Sequence, residues 1–152
     1  MALEQQIEQD LKAALLAQSA LKVETLRGLK SAILYAKVAE SSRDTDMTDE
    51  QLIPLLAKEA KKRQESIDLY KQAGDTVRAD KEAQEKEIIE GYLPQQLSEG
   101  ELAQIVDSVI TSQGASDMSA MGAVIAEVKQ KTQGAADGAT IAKLVKEKLS
   151  QA

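Results

Sequence analysis

Glycines, an aspartate and lysines near the C-terminal end of the chain are arranged in a way that could bind a phosphate group. Gly134 and Gly138 enclose a short loop between two amphipathic helical patterns. Gly134 can end the first helix in a left-handed conformation, and Asp137 can accept the first N–H groups of the second helix. The start of a helix attracts phosphate, and lysines nearby would add charge. The candidate phosphate contacts are Lys129, Lys131, Gly134, Asp137, Gly138, Lys143 and Lys146. The same spacing also describes an ordinary helix–helix turn, which needs no ligand.

A second basic cluster lies in the third helical pattern and consists of Lys58, Lys61, Lys62 and Arg63. The three lysines share one helical face at spacings of three and four, as a solvated face would. Arg63 instead lies in line with Ala60 and Ile67 on the apolar face. A buried guanidinium needs a partner, so the pattern predicts a carboxylate or a group of carbonyls opposite Arg63.

The chain has no Cys and no His, which removes several kinds of catalytic chemistry. A thiol nucleophile, a disulfide, a soft-metal site and an imidazole base are excluded. Carboxylates, lysines, tyrosines and hydroxyls remain, so a two-carboxylate or serine–lysine mechanism is not forbidden, but no arrangement of these groups indicates a substrate. We therefore expect a non-catalytic protein without a metal or a cofactor. The N-terminal residues resemble neither a signal peptide nor a membrane span, so the expected location is the cytoplasm, with no membrane partner.

The charge balance disfavours general electrostatic capture of nucleic acid, because the formal net charge is -6. Residues 1 to 93 hold 14 of the 19 basic and 18 of the 25 acidic groups, leaving 5 basic and 7 acidic for residues 94 to 152. Neither part of the chain is a basic domain. Any nucleic-acid binding must come from a local arrangement of cations.

Composition and periodicity predict an all-α protein. The best helix formers dominate, and only two prolines and eight glycines interrupt them. About four helices are expected in residues 1–93. Thr48 and Gln51 form a capping-box pattern, and Pro54 predicts a loose first turn or a later start for the third helix. The fourth helix is expected from Asp75 to about Leu93, with a solvated, highly charged middle.

A domain boundary is expected at Pro94, because proline disfavours a helical conformation in the residue before it. Residues 94–152 then contain three short amphipathic patterns. These begin near Ser98, Asp117 and Asp137, and such helices can form a small bundle. We therefore predict an N-terminal helical domain over residues 1–93 and a C-terminal three-helix domain over residues 94–152.

Short motifs occur in a fixed order along nearly the whole chain. They are Leu26-Arg27-Gly28-Leu29-Lys30 with Ala32, Lys58-Glu59-Ala60-Lys61-Lys62-Arg63 with Ser66-Ile67, Glu87-Ile88-Ile89 with Tyr92-Leu93-Pro94 and Leu97, Met121-Gly122, and Gly134-Ala135-Ala136-Asp137-Gly138. In this order they resemble the YqeY-like family. The C-terminal part of that family is related to the tail domain of the B subunit of the tRNA-dependent Asp/Glu amidotransferase.

The resemblance implies work connected with tRNA. In the amidotransferase the related tail helps to hold tRNA, while the chemistry of glutamine-dependent carbon–nitrogen ligation resides in other domains and subunits. The resemblance therefore implies a non-catalytic tRNA-binding or amidotransferase accessory protein. The family commonly has a basic residue after the Met-Gly pair and an arginine in the glycine loop, where this chain has Ala123 and Ala135.

A protein interaction module without RNA binding is the alternative hypothesis. The apolar stretch from Ile88 to Leu97, or a groove between the domains, could receive a helix of a partner protein. Binding of tRNA at low salt would separate the two hypotheses.

Overall fold

A computed structural model of the chain describes residues 1–151. Within these residues the regular structure is helical, with seven α-helices and no strand, which confirms the all-α prediction. The chain divides into two compact units, Met1–Leu93 and Pro94–Ala152, which are described separately. None of the helices in residues 1–151 is both long enough and apolar enough to cross a membrane.

The first unit begins with a hairpin of α1 (Leu3–Leu16) and α2 (Ala20–Ala39). Apolar side chains at helical spacing on α1 pack against α2 and the following helices because they recur on one face. The core of this unit comprises Ile7, Leu11, Ala14, Val23, Leu26, Leu29, Ile33, Met47, Leu52, Leu56, Ala60 and Ile89.

An ion pair between α1 and α2 is buried at the edge of this core. The Lys37 ammonium contacts the Glu4 carboxylate, and their side chains are only 9% and 11% exposed. The second oxygen of Glu4 accepts a hydrogen bond from the Met47 N–H at 2.6 Å. Asp46 lies 3.7 Å from the ammonium and is largely exposed. The pair thus fastens the loop after α2 to the first turn of α1.

The third helix, α3 (Asp49–Gln72), begins earlier than Pro54 suggested. Thr48 and Gln51 form a complete capping box, as predicted, and Pro54 lies inside the helix. The expectation of a loose or later start is therefore wrong. The missing N–H of Pro54 leaves only the carbonyl of Glu50 without its helical donor, and Glu50 is exposed to water.

A tight turn joins α3 to α4 (Thr76–Glu90), and the two form a helical hairpin. The helix α4 ends at Glu90 rather than near Leu93, because the N–H groups of Tyr92 and Leu93 bond to carbonyls three residues back instead of four. The Tyr92 hydroxyl donates to Asp10 Oδ2 at 2.6 Å. Burial and this hydrogen bond both raise the pKa of Tyr92.

Arg63 lies inside this unit with carboxylates opposite it, as predicted. Its Nη1 atom is 3.4 Å from Glu85 and 3.7 Å from Glu82, both on α4. The guanidinium also approaches α2 at Gly28, where a Cβ would lie 3.7 Å from Nη2. Burial raises the pKa of Glu85, with Arg63 acting in the opposite direction. The charged middle of α4 is therefore not wholly solvated.

The second unit contains α5 (Glu99–Gln113), a 3₁₀ turn (Met118–Ala120), α6 (Met121–Thr132) and α7 (Gly138–Ser150). Ser98 and Glu101 form the expected capping box of α5, and Gly114 ends this helix in a left-handed conformation. Asp117 caps the 3₁₀ turn, which leads into α6 four residues later. The core comprises Leu102, Val106, Val109, Val124, Val128, Ile141, Val145 and Leu149.

Candidate functional site

The loop between α6 and α7 has the left-handed backbone that its glycine suggested. Gln133 and Gly134 have φ values of 45° and 85°. The side-chain amide of Gln96 donates to the Gly134 carbonyl at 3.2 Å, and the Leu97 N–H donates to the Ala135 carbonyl at 2.8 Å. The segment before α5 therefore holds the loop in place.

Asp137 occupies the position before α7 but does not cap the helix with its side chain. Its backbone carbonyl accepts the first helical hydrogen bond, from the Ile141 N–H at 3.0 Å. The carboxylate is exposed, so water solvates it in place of the backbone donors. The predicted capping hydrogen bond is therefore absent, and the first N–H groups of α7 have no side-chain acceptor within residues 1–151.

Lys129 lies beside the start of α7. A Cβ placed on Gly138 would be 3.5 Å from Lys129 Cε and 3.6 Å from its Nζ. The lysine side chain thus lies within van der Waals reach of the helix terminus, and an alanine at position 138 would also fit there. An ammonium group and exposed backbone N–H groups at one helix terminus favour an anion.

The remaining lysines of this unit differ in their partners. Lys131 lies 3.7 Å from Glu127, and Lys148 forms a 2.7 Å contact with Asp107. Lys143 and Lys146 are exposed on α7, and no carboxylate within the described residues comes within 4.0 Å of either ammonium. Lys129, Lys143 and Lys146 are thus available to a ligand.

Charge is unevenly distributed over this unit. All five of its lysines lie between Met121 and Ser150, with only three acidic residues, so that α6, the loop and α7 have a net charge of +2. The preceding residues, 94 to 120, have four acidic residues and no basic ones. The two helices that flank the glycine loop therefore form the basic side of an acidic unit.

The basic cluster of α3 separates into surface and interior residues. Lys58, Lys61 and Lys62 are exposed, and Lys62 lies 3.1 Å from Glu59. Arg63 contacts the carboxylates of α4 described above, so its charge serves the interior of the unit. Only the three lysines can form part of a surface patch.

A shallow groove of about 370 Å³ runs along α5 beside the end of α6. It is lined by Leu97, Glu101, Gln104, Ile105, Ser108 and Lys131. Among residues 1–151 no group of three or more Asp and Glu side chains is placed to hold a metal ion.

The apolar stretch from Ile88 to Leu97 contributes to the cores of the units. Ile88, Tyr92 and Leu93 pack on the core of the first unit, while Leu97 packs on the core of the second. Because these side chains are partly buried, less apolar surface is left there for a partner helix than the sequence suggested.

The chain was also compared with known proteins. A family model described as Yqey-like protein matches residues 4–149, nearly the whole length. A search of curated proteins gave no match. Because the family model covers almost all of the sequence, the chain belongs to the YqeY-like family.

Proposed function

We propose that this protein is a non-catalytic tRNA-binding accessory protein whose α6–α7 hairpin contacts the sugar–phosphate backbone. The observation that carries the proposal is the position of Lys129 beside the start of α7, where the side chain of Asp137 leaves the backbone N–H groups without a cap. A phosphate there would accept from both the ammonium and the helix terminus. Lys143 and Lys146 lie further along the same helix, and both are exposed.

The number of available cations limits the strength of such binding. Three lysines without carboxylate partners would contact about three phosphates, which gives a slope of log affinity against log salt of about -2 to -3. The net charge of -6 and the carboxylate of Asp137 both oppose an approaching polyanion. We therefore expect weak binding that is detectable at low salt.

The recognition mode follows from the side chains of the second unit. Residues 94–152 include no aromatic residue, so stacking on unpaired bases is not available there. Contacts with phosphates and the shape of the folded RNA remain. The family context then associates the protein with tRNA amidation, where glutamine supplies the nitrogen and other proteins perform the chemistry.

An anisotropy titration with labelled total tRNA at low and moderate salt tests the proposal. The triple variant Lys129→Ala, Lys143→Ala, Lys146→Ala should lose most of the affinity and most of the salt dependence. The matched control replaces Lys12, Lys22 and Lys71, which are exposed lysines of the first unit, by alanine. It changes the net charge equally and should bind like the parent protein.

Two results would contradict the proposal. Absence of binding at low salt would remove the tRNA function and leave the protein interaction module. Equal loss of affinity in the control and the hairpin variant would show that net charge alone, rather than the hairpin, determines binding.

A further inference from the structure

The outer face of α2 carries large apolar side chains that the fold does not cover. Leu34, Tyr35 and Val38 are 46%, 82% and 57% exposed. They lie at spacings of one, three and four residues, so they form one continuous surface over two turns. An apolar surface of this kind on a soluble protein commonly marks a contact with a partner.

A small cavity adjoins this surface. It has a volume of about 150 Å³, and Ile7, Ile33 and Leu34 provide its apolar lining. Leu34 thus belongs both to the exposed surface and to the cavity wall. An apolar side chain of a partner could lie on Tyr35 and Val38 while a neighbouring group enters the cavity.

Two of the three cations that line the cavity are paired with carboxylates. Lys30 pairs with Glu8 at 3.4 Å, and Lys37 pairs with Glu4, so the two carboxylates of the lining are engaged. The third cation of the lining, Arg43, has no carboxylate within 4.0 Å among residues 1–151. Arg27, two turns before Leu34 on α2, is also exposed and makes no ion pair with a described residue. A carboxylate is the complement that these two arginines lack.

We propose that the surface formed by Arg27, Leu34, Tyr35 and Val38 of α2 and by Arg43 of the following loop binds an acidic amphipathic segment of a partner protein. The apolar side chains of that segment would cover the exposed surface, and its carboxylates would meet the two arginines. The inference is independent of the tRNA-binding proposal, which concerns the other unit.

Other occupants fit the surface less well. RNA would leave the aliphatic Leu34 and Val38 without an apolar partner, and it would find only two uncompensated cations for its phosphates. A second copy of the chain would bring the same unpaired arginines to the interface instead of carboxylates. An acidic and apolar segment satisfies both features.

Selection from a random peptide library on the immobilised full chain tests the proposal. Peptides of about 16 residues suit it, because a helix of that length spans about four turns. The recovered peptides should be acidic, with apolar residues at helical spacing. Their affinity should fall about tenfold or more with Leu34→Ser, Tyr35→Ser, Val38→Ser combined, and about threefold or more with Arg43→Glu.

Matched variants control for general surface effects. Leu16→Ser, Leu69→Ser, Val77→Ser combined removes three other exposed apolar side chains, and Lys58→Glu reverses an exposed charge elsewhere on the first unit. Both should bind the selected peptides like the parent chain, and circular dichroism should show that every variant is folded.

Four outcomes would overturn the proposal. The library could yield no peptide that depends on the α2 surface, or the recovered peptides could lack acidic residues. A short oligouridylate that shifts the amide resonances of Tyr35 and Val38, where the selected peptides do not, would assign the surface to RNA. Sedimentation equilibrium that shows dimers, lost in the triple serine variant of α2, would assign it to a second copy.

Discussion

Replacing Lys37 by methionine should destabilise the first unit strongly. Methionine keeps most of the apolar stem but removes the ammonium that neutralises Glu4. Because both side chains are about nine-tenths buried, the carboxylate would remain inside with only the Met47 N–H as a donor. Removing one partner of a buried ion pair costs about 3–5 kcal/mol. We expect the free energy of unfolding to fall by that amount.

A second change should restore part of this loss. Glu4→Gln removes the unpaired charge and keeps an oxygen that can accept from the Met47 N–H. The double variant Glu4→Gln, Lys37→Met should therefore cost only about 1–2 kcal/mol, since the remaining loss is that of hydrogen bonds. Glu4→Gln alone should cost about 1–3 kcal/mol, because Lys37 keeps the exposed Asp46 nearby.

Tyrosine fluorescence during urea unfolding measures these values in the first unit alone. All three tyrosines, Tyr35, Tyr70 and Tyr92, lie within residues 1–93. A cost of less than about 1 kcal/mol for Lys37→Met would contradict the expected penalty for the unpaired Glu4 carboxylate. A double variant that loses the sum of the two single losses would also contradict it, because the mutant cycle would then show no coupling between the two charges.

Three other predictions follow from single sites. The variant Glu85→Gln should gain stability relative to the parent protein as pH rises from about 4 to 7, as measured by the midpoints of urea unfolding. The pKa of Glu85 is raised in the folded protein, so ionisation of this carboxyl group above its unfolded pKa destabilises the parent but not the variant. A stability difference that stays constant with pH would contradict this prediction. Gly134→Ala should lower the stability of the second unit by about 1 kcal/mol, because φ of Gly134 is 85°. Gly122→Ala, within α6, should instead raise the stability by about 0.5–1 kcal/mol. Hydrogen exchange of the α6 and α7 amides measures both changes. Tyr92→Phe should cost about 1 kcal/mol by loss of the bond to Asp10 and should remove the tyrosine that ionises last in an alkaline titration at about 295 nm. A late-ionising step that persists in the Tyr92→Phe variant would refute the last assignment.

The helices could be predicted from sequence because their periodicity and caps are local signals. Thr48 with Gln51 and Ser98 with Glu101 mark two helix starts correctly. The predicted start of α3 was wrong because of Pro54. A proline near a helix start leaves only one carbonyl without its hydrogen-bond donor, and this costs little when the carbonyl faces water. The sequence predicts the kind of group that lies opposite Arg63, but it does not identify Glu82 and Glu85. Both of these glutamates belong to a run of charged residues on another helix, and nothing in the run distinguishes them.

The buried Glu4–Lys37 pair was not predicted, although a weak signal for it exists. Glu4 precedes Ile7 by three residues and Lys37 follows Ile33 by four, so each falls in line with an apolar stripe. Charged residues are usually interpreted as solvated, so the spacing of Glu4 and Lys37 was not taken as a sign of burial. The capping role of Asp137 was predicted wrongly for a different reason: a residue type favours a hydrogen bond but does not show which side-chain rotamer is adopted.

The distribution of charge in the second unit also has a kinetic consequence. Its basic side lies on α6 and α7, and four acidic residues precede them, so this unit has a permanent electric dipole. The field of an approaching polyanion orients this dipole before any contact forms. The acidic residues repel the polyanion when the unit approaches it in another orientation. The separation of charge would thus favour encounters in which α6 and α7, rather than α5, face the ligand, and raising the salt concentration would remove this preference.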